Sequence, residues 1–282
     1  MYGMLDNLET TGVELELPYE LFKTSFNTPA TVGETEIPRS KGEPKELASF
    51  CLKKAFTCTV CETTFETYIA RDTKLRLSHM VELRSVYFDI EPMCYDVIMC
   101  ERCGYASLRH KFDALSERQI DVLTHNIRRH YNDFVPPSFP LEVDLHMAVE
   151  KHKYALLSAL VKKTSIGERA YMLMKISWFY QILQDTENEL YFTKYAYEYF
   201  TKAYSSERFP IFGMSEATVT YLLGSFAYKL GEYGSALKFL SNIIVQKDAP
   251  SRIKDLARDI KDEIIKIRGA TENEEESDTE EA

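Results

Sequence analysis

Two observations predict an α+β fold that is mainly α. The first is the stretch 51–112, where two Cys-x-x-Cys pairs bracket short runs of alternating polarity. The second is the stretch 113–268, where helix start signals recur and apolar residues repeat at helical spacing. The chain therefore reads as a small antiparallel module followed by an α-helical array. An extension (1–50) precedes the module, and an acidic tail (269–282) follows the helices.

Cys58-Thr-Val-Cys61 and Cys100-Glu-Arg-Cys103 each have the spacing with which a tight turn presents two thiolates to one metal ion. Together Cys58, Cys61, Cys100 and Cys103 make the closed sulfur set that Zn²⁺ takes in structural sites, so one structural Zn²⁺ is expected. A module this small buries too little apolar surface to be comfortably stable alone, and a metal supplies the difference. Four thiolates leave no open position for water or substrate, which argues against catalysis at the metal.

Between the pairs, Leu75 with Leu77, Val86 with Phe88, and the run from Tyr95 into Cys100 carry strand patterns. Two knuckles joined by hairpin strands form a zinc ribbon. Gly104 follows the second pair, where positive φ lets backbone N–H groups face sulfur. Glu62 holds the equivalent place after the first pair and would be strained there. Cys51 and Cys94 read as small core residues, with a swapped ligand or a reactive thiol as the alternative. His79 and His110 read as surface or hydrogen-bonded histidines, because the four-sulfur set is already complete.

Composition bounds the rest. The net charge is −10, and seven acids lie between Ala270 and Ala282, so the body before them is near balance. That tail reads as disordered and solvated. Paired cysteines with no secretory pattern at the N-terminus point to a reducing cytoplasm, and no apolar run is long enough to span a bilayer. Nine Lys/Arg against eight Asp/Glu from Cys51 to Lys111 give no footprint for phosphate binding. In the extension, Pro18, Pro29, Pro38 and Pro44 mark a linker, with Ser25 to Glu46 read as loop or disorder. Its Leu15–Phe22 patch either docks on the body or binds a partner, and Val13–Leu17 has the alternation of a short strand.

Seven helices are expected. Ser116-x-x-Gln119 is a capping box, and Pro136-Pro137 would end the helix that it starts. Leu145, Ala148, Val149, His152, Ala155, Leu156 and Ala159 form the stripe of the second helix. Ser165-x-x-Glu168 and Thr186-x-x-Glu189 open the third and fourth, Ser215 caps the fifth, Gly231 precedes the sixth, and Pro250-Ser251 opens the seventh. Leu223-Gly224, then Gly231-x-Tyr233-x-x-Ala236-x-x-x-Leu240, matches much of the tetratricopeptide pattern. Trp178 followed by Ala196, Phe200 and Ala203 matches more loosely, and an ordinary helical bundle is the alternative. Tyr191, Phe192, Tyr195, Tyr197, Tyr199, Phe200 and Tyr204 cannot share one core stripe, so some of them face a groove or a neighbour. No phosphate loop, nucleophile elbow or metalloprotease motif is present.

Phe56-Thr-Cys-Thr-Val-Cys61 and Pro92-Met-Cys-Tyr95-Asp-Val-Ile-Met-Cys100-Glu-Arg-Cys103-Gly-Tyr-Ala106 resemble the bacterial domain-of-unknown-function 2225 family. Ala170, Trp178-Phe-Tyr and the Tyr233-x-x-Ala236 helix pair fit that family's helical half, and the resemblance spans about 53–265. Its first knuckle usually reads Cys-Pro-x-Cys-Gly, where this chain has Thr59 and Glu62. The resemblance implies a bacterial, cytosolic, zinc-binding protein with tetratricopeptide-like helices, and no activity. The leading functional reading is a non-enzymatic adaptor that presents a helical groove to a protein partner. A nucleic-acid-binding ribbon and a thiol-based redox or metal sensor stand as alternatives, and the oligomeric state stays open.

Overall fold

The computed structural model describes residues 3–23, 47–134, 139–140 and 142–280, with 270–280 described as backbone only. The linker expected at Ser25–Glu46 and Pro136-Pro137 lie outside the described residues. The fold is α+β and mainly α, with small two-stranded antiparallel sheets followed by a helical array. It divides into two compact units. One comprises 1–164 and 175–189, the other 165–174 and 190–282.

The first unit contains three hairpins. Strands β1 (Cys51–Thr57) and β2 (Thr64–Ala70) pair from Cys51↔Ala70 to Thr57↔Thr64. Strands β3 (Leu77–Val81) and β4 (Arg84–Tyr87) follow, then β5 (Val97–Met99) and β6 (Ala106–Leu108). The capping box forms as expected: Gln119 N–H donates to Ser116 Oγ, and Ser116 N–H donates to Gln119 Oε1. It starts α1 (Glu117–Leu123), which widens into a π-helical turn (Thr124–Arg128) before α2 (Arg129–Tyr131).

Helix α3 (Leu145–Val161) is the hub of this unit. Asp144 caps it by accepting from Met147 N–H at 2.8 Å. An apolar stripe on one face was expected; instead every residue from Lys151 to Val161 is buried. The reason is that α3 has neighbours on several sides, including β5, β6 and the 3₁₀ turn Pro92–Tyr95. Ala106 N–H reaches Ser158 Oγ at 3.3 Å. The change of secondary structure near residue 112 is therefore not the edge of the compact unit, which runs on to Thr164. His152, deep in this helix, is held neutral because burial pushes its imidazole down to about 3, and its Nδ1–H donates to the Ala148 carbonyl at 2.7 Å.

The N-terminal segment is packed against this unit. Met4, Leu5, Leu8, Val13, Leu17, Leu21 and Phe22 are all buried, and Lys153 Nζ donates to the Lys23 carbonyl at 2.7 Å. It forms 3₁₀ turns at Leu5–Thr11 and Tyr19–Phe22, and the strand expected at Val13–Leu17 is not formed. A lone strand with no partner edge leaves its ladder unsatisfied, whereas Tyr19 Oη here donates to the Val13 carbonyl at 2.7 Å.

The remaining helices are α4 (Ile166–Ile182), α5 (Thr186–Ser206), α6 (Glu216–Lys229), α7 (Tyr233–Val245) and α8 (Ser251–Glu280). The first turns of α4 and most of α5 belong to the second unit. Ser215 caps α6 as expected, accepting from Thr218 N–H. At α5 the cap is Asp185 and not Thr186, since Asn188 N–H donates to Asp185 Oδ1 at 3.1 Å. Gly224 of α6 lies so close to α7 that an added Cβ would sit 2.7 Å from Leu240 Cδ2. Helix α8 continues past the end expected at 268, and Glu is a good helix former.

Helix α4 has a second cap that no local pattern announces. The Glu207 carboxylate accepts from Ile166 N–H at 2.5 Å and Gly167 N–H at 3.2 Å. A carboxylate there satisfies orphan donors and opposes the helix dipole. Glu207→Ala should cost about 1–2 kcal/mol, and Glu207→Gln less, because the amide still offers an acceptor. Urea unfolding midpoints check this; identical midpoints for all three proteins would contradict it.

Candidate metal centre

Each Cys pair is the loop of a hairpin. Below the first, Thr57↔Thr64 closes the β1–β2 ladder, and Cys58 N–H then donates to the Thr63 carbonyl at 2.9 Å. Glu62 N–H turns back to the Cys58 carbonyl at 2.7 Å. The second repeats the pattern on Met99↔Ala106: Cys100 N–H donates to the Tyr105 carbonyl and Gly104 N–H to the Cys100 carbonyl, both at 2.9 Å. Both turns need a left-handed residue after the second Cys. Gly104 has φ 76° and Glu62 has φ 61°. An L-residue in this region costs roughly 1–2 kcal/mol, and glycine does not pay it. Glu62→Gly should therefore stabilise the protein by about 0.5–1 kcal/mol after the larger unfolded-state entropy of glycine is counted. A lower thermal midpoint for this variant would contradict that.

The two knuckles face each other. Cys58 Sγ and Cys103 Sγ are 3.6 Å apart, Cys61 Sγ and Cys100 Sγ are 3.5 Å apart, and all four sulfurs lie within 4.8 Å of one another. A metal with four sulfur bonds of roughly 2.3 Å at tetrahedral angles needs S···S edges of about 3.8 Å. Two of the S···S distances stand close to that edge, and none exceeds 4.8 Å. Cys58, Cys100 and Cys103 are buried and Cys61 is partly exposed.

Crowding makes the thiols share protons. Hydrogen bonding from Cys103 and then Cys58 draws the Cys100 thiol far below its ordinary value. The same contacts push Cys103 and Cys58 up, in each case chiefly through the bond to Cys100. One thiolate is thus stabilised by its neighbours' protons, and a dication would take the place of those protons. The four residues fit a metal ion.

The second layer fixes the knuckles. Arg128 Nη1, from the π-helical turn, donates to the Val60 carbonyl inside the first knuckle at 2.9 Å. Phe112 packs on Tyr105, Phe56 and Phe65 at centroid distances of 5.0, 5.9 and 6.0 Å, and Tyr105 Oη donates to its carbonyl. These rings join the residue after one knuckle to the strands that flank the other. Gly104 lies against the Tyr131 ring, where an added Cβ would meet Cδ2 at 2.4 Å.

Cys51 and Cys94 stand apart from the cluster and are buried. Burial pushes both thiols up, the direction that makes a thiol inert. Among the described residues no His joins the four sulfurs, and His79 instead meets Ser78 Oγ. What the sequence did not announce is the bracing: Arg128, Tyr131 and Phe112 carry no motif and are recruited by tertiary packing.

A family model described as an uncharacterized protein conserved in bacteria (DUF2225) matches residues 51–264. The chain belongs to the DUF2225 family. Neither the curated proteins nor the solved structures include a significant match. The DUF2225 match opens at the first residue of β1, takes in both knuckles, and ends within α8. The segment from Met4 to Phe22, whose apolar residues are buried, lies outside it. Among the described residues of this DUF2225 chain, no helix is long and apolar enough to cross a membrane.

Proposed function

We propose that this is a non-enzymatic, zinc-braced interaction protein of the bacterial cytoplasm, whose helical half receives a protein partner. The observation that carries the reading is the four-sulfur cluster, because it offers soft ligands at tetrahedral spacing and leaves no position open for a substrate. Zn²⁺ bound there would supply cross-linking of two hairpins, not reaction chemistry. Arg128, Phe112 and Gly104 hold the knuckles in register for it.

The helical half supports the second part of the reading. The α6–α7 hairpin uses Gly224, Ala236 and Leu240 for close approach, as tetratricopeptide pairs do. On α5, Phe192, Tyr199 and Phe200 are buried, while Tyr191, Tyr195, Tyr197 and Tyr204 stay partly exposed. Half-buried tyrosines are favoured where a surface is wet on one side and apolar on the other. Affinity capture with the full chain should retain a defined partner that Tyr191→Ser/Tyr195→Ser loses. Capture that is unaffected by those changes, or turnover of a small substrate by the purified chain, would contradict the reading.

A further inference from the structure

Beside the sulfur cluster, a cavity of about 370 Å³ lies in the first unit between β2, the second knuckle and α3. Its volume falls in the range of small-molecule sites. Phe65, Tyr68, Met99 and Phe139 give it flat apolar walls, and Lys151 lines it from α3.

Lys151 is only 2% exposed. Among the described residues its ammonium has no hydrogen bond or ion pair; it stands 5.6 Å from the Phe139 ring and feels the Glu101 and Asp96 carboxylates only at longer range. Two other buried lysines of this unit show the usual arrangement. Lys153 donates to the Lys23 carbonyl at 2.7 Å, and Lys175 pairs with Asp96 at 2.5 Å. An ammonium in so buried a side chain is unfavourable while its donors meet no acceptor, and Lys151 Nζ keeps its access to the cavity.

The acids of the cavity do not meet this need. Glu66 is paired with Lys53, and Glu101 accepts from Phe139 N–H at 3.0 Å. Arg102, exposed at the rim, adds a guanidinium donor with no side-chain partner among the described residues. Glu101 acts on Lys151 only at longer range, without a hydrogen bond, so the Lys151 and Arg102 donors that line the cavity have no acceptor among the described residues. We infer that it is a binding site for a small organic carboxylate with a flat apolar body, its oxygens held by Lys151 and Arg102 and its body against the aromatic walls.

The test uses the full chain loaded with zinc and three probes: acetate, phenylacetate and indole-3-acetate. Phenylacetamide is the uncharged control. Calorimetry and ligand-observed saturation-transfer NMR should show saturable binding of at least one aromatic carboxylate. The amide and the Lys151→Met protein should each bind at least about tenfold more weakly. Lys151→Met should keep or raise the thermal midpoint, because it removes a buried charge without leaving a partner behind. Saturable binding of none of the three carboxylates would overturn the assignment. So would equal binding to Lys151→Met, including the case where that change instead lowers zinc retention and so marks Lys151 as a counter-charge for the sulfurs.

Discussion

Cys103→Ser should strip the chain of its metal and unfold the region around both knuckles. Cys103 is fully buried, and its sulfur lies 3.6 Å from that of Cys58, so it closes the centre across the two hairpins. Structural zinc sites carry on the order of 10–16 kcal/mol of apparent binding energy in small peptides. Forfeiting even a third of that is about 3–5 kcal/mol, a large share of a domain's total stability. The measurement is denaturant unfolding followed by aromatic fluorescence, with metal content determined on the same samples. Full metal content together with an unchanged midpoint would show that Cys103 is not a ligand.

Gly104→Ala is the second large effect. Two costs add at this position. The residue has φ 76°, which an L-side chain adopts at roughly 1–2 kcal/mol, and the new methyl would sit 2.4 Å from the Tyr131 ring. The ring cannot move freely, because Tyr131 is buried and packs edge-on against Tyr154 at 5.9 Å. Overpacking of this kind typically costs 1–3 kcal/mol, so the total is about 2–5 kcal/mol. In a Tyr131→Leu background the clash is relieved and the strain is not, so the alanine should then cost only about 1–2 kcal/mol. Equal costs in both backgrounds would rule out the steric part of this account.

Glu62 and Gly104 show what the sequence made legible and why. A Cys-x-x-Cys turn is local, so its positive-φ residue can be placed from spacing alone, and both positions have that geometry. Helix starts at Ser116 and Ser215 were legible for the same reason, since their bonds span three residues. The β1–β2 hairpin was not. Its first strand runs Leu52-Lys-Lys-Ala with four exposed residues in a row, which gives no alternation to read. Nor was the Glu207 cap on α4, whose donor and acceptor are about forty positions apart. Helix α3 misled by being surrounded: a helix buried on several sides has no stripe, and its polar Lys151, His152 and Lys153 are buried along with its apolar residues. At the candidate centre, spacing alone pointed to the four cysteines that the fold brings together. Its supports at Arg128, Phe112 and Tyr131 could not be read that way, because only the folded chain brings them to the knuckles.

The central claim is that the four cysteines hold one structural zinc. Elemental analysis of the full chain, purified under reducing conditions without added metal, tests it most directly when paired with alkylation mapping of each cysteine. The account predicts about one zinc per chain, with Cys58, Cys61, Cys100 and Cys103 protected until a chelator is added. A folded chain that carries no zinc, or one that holds iron in the same four sulfurs, would contradict it.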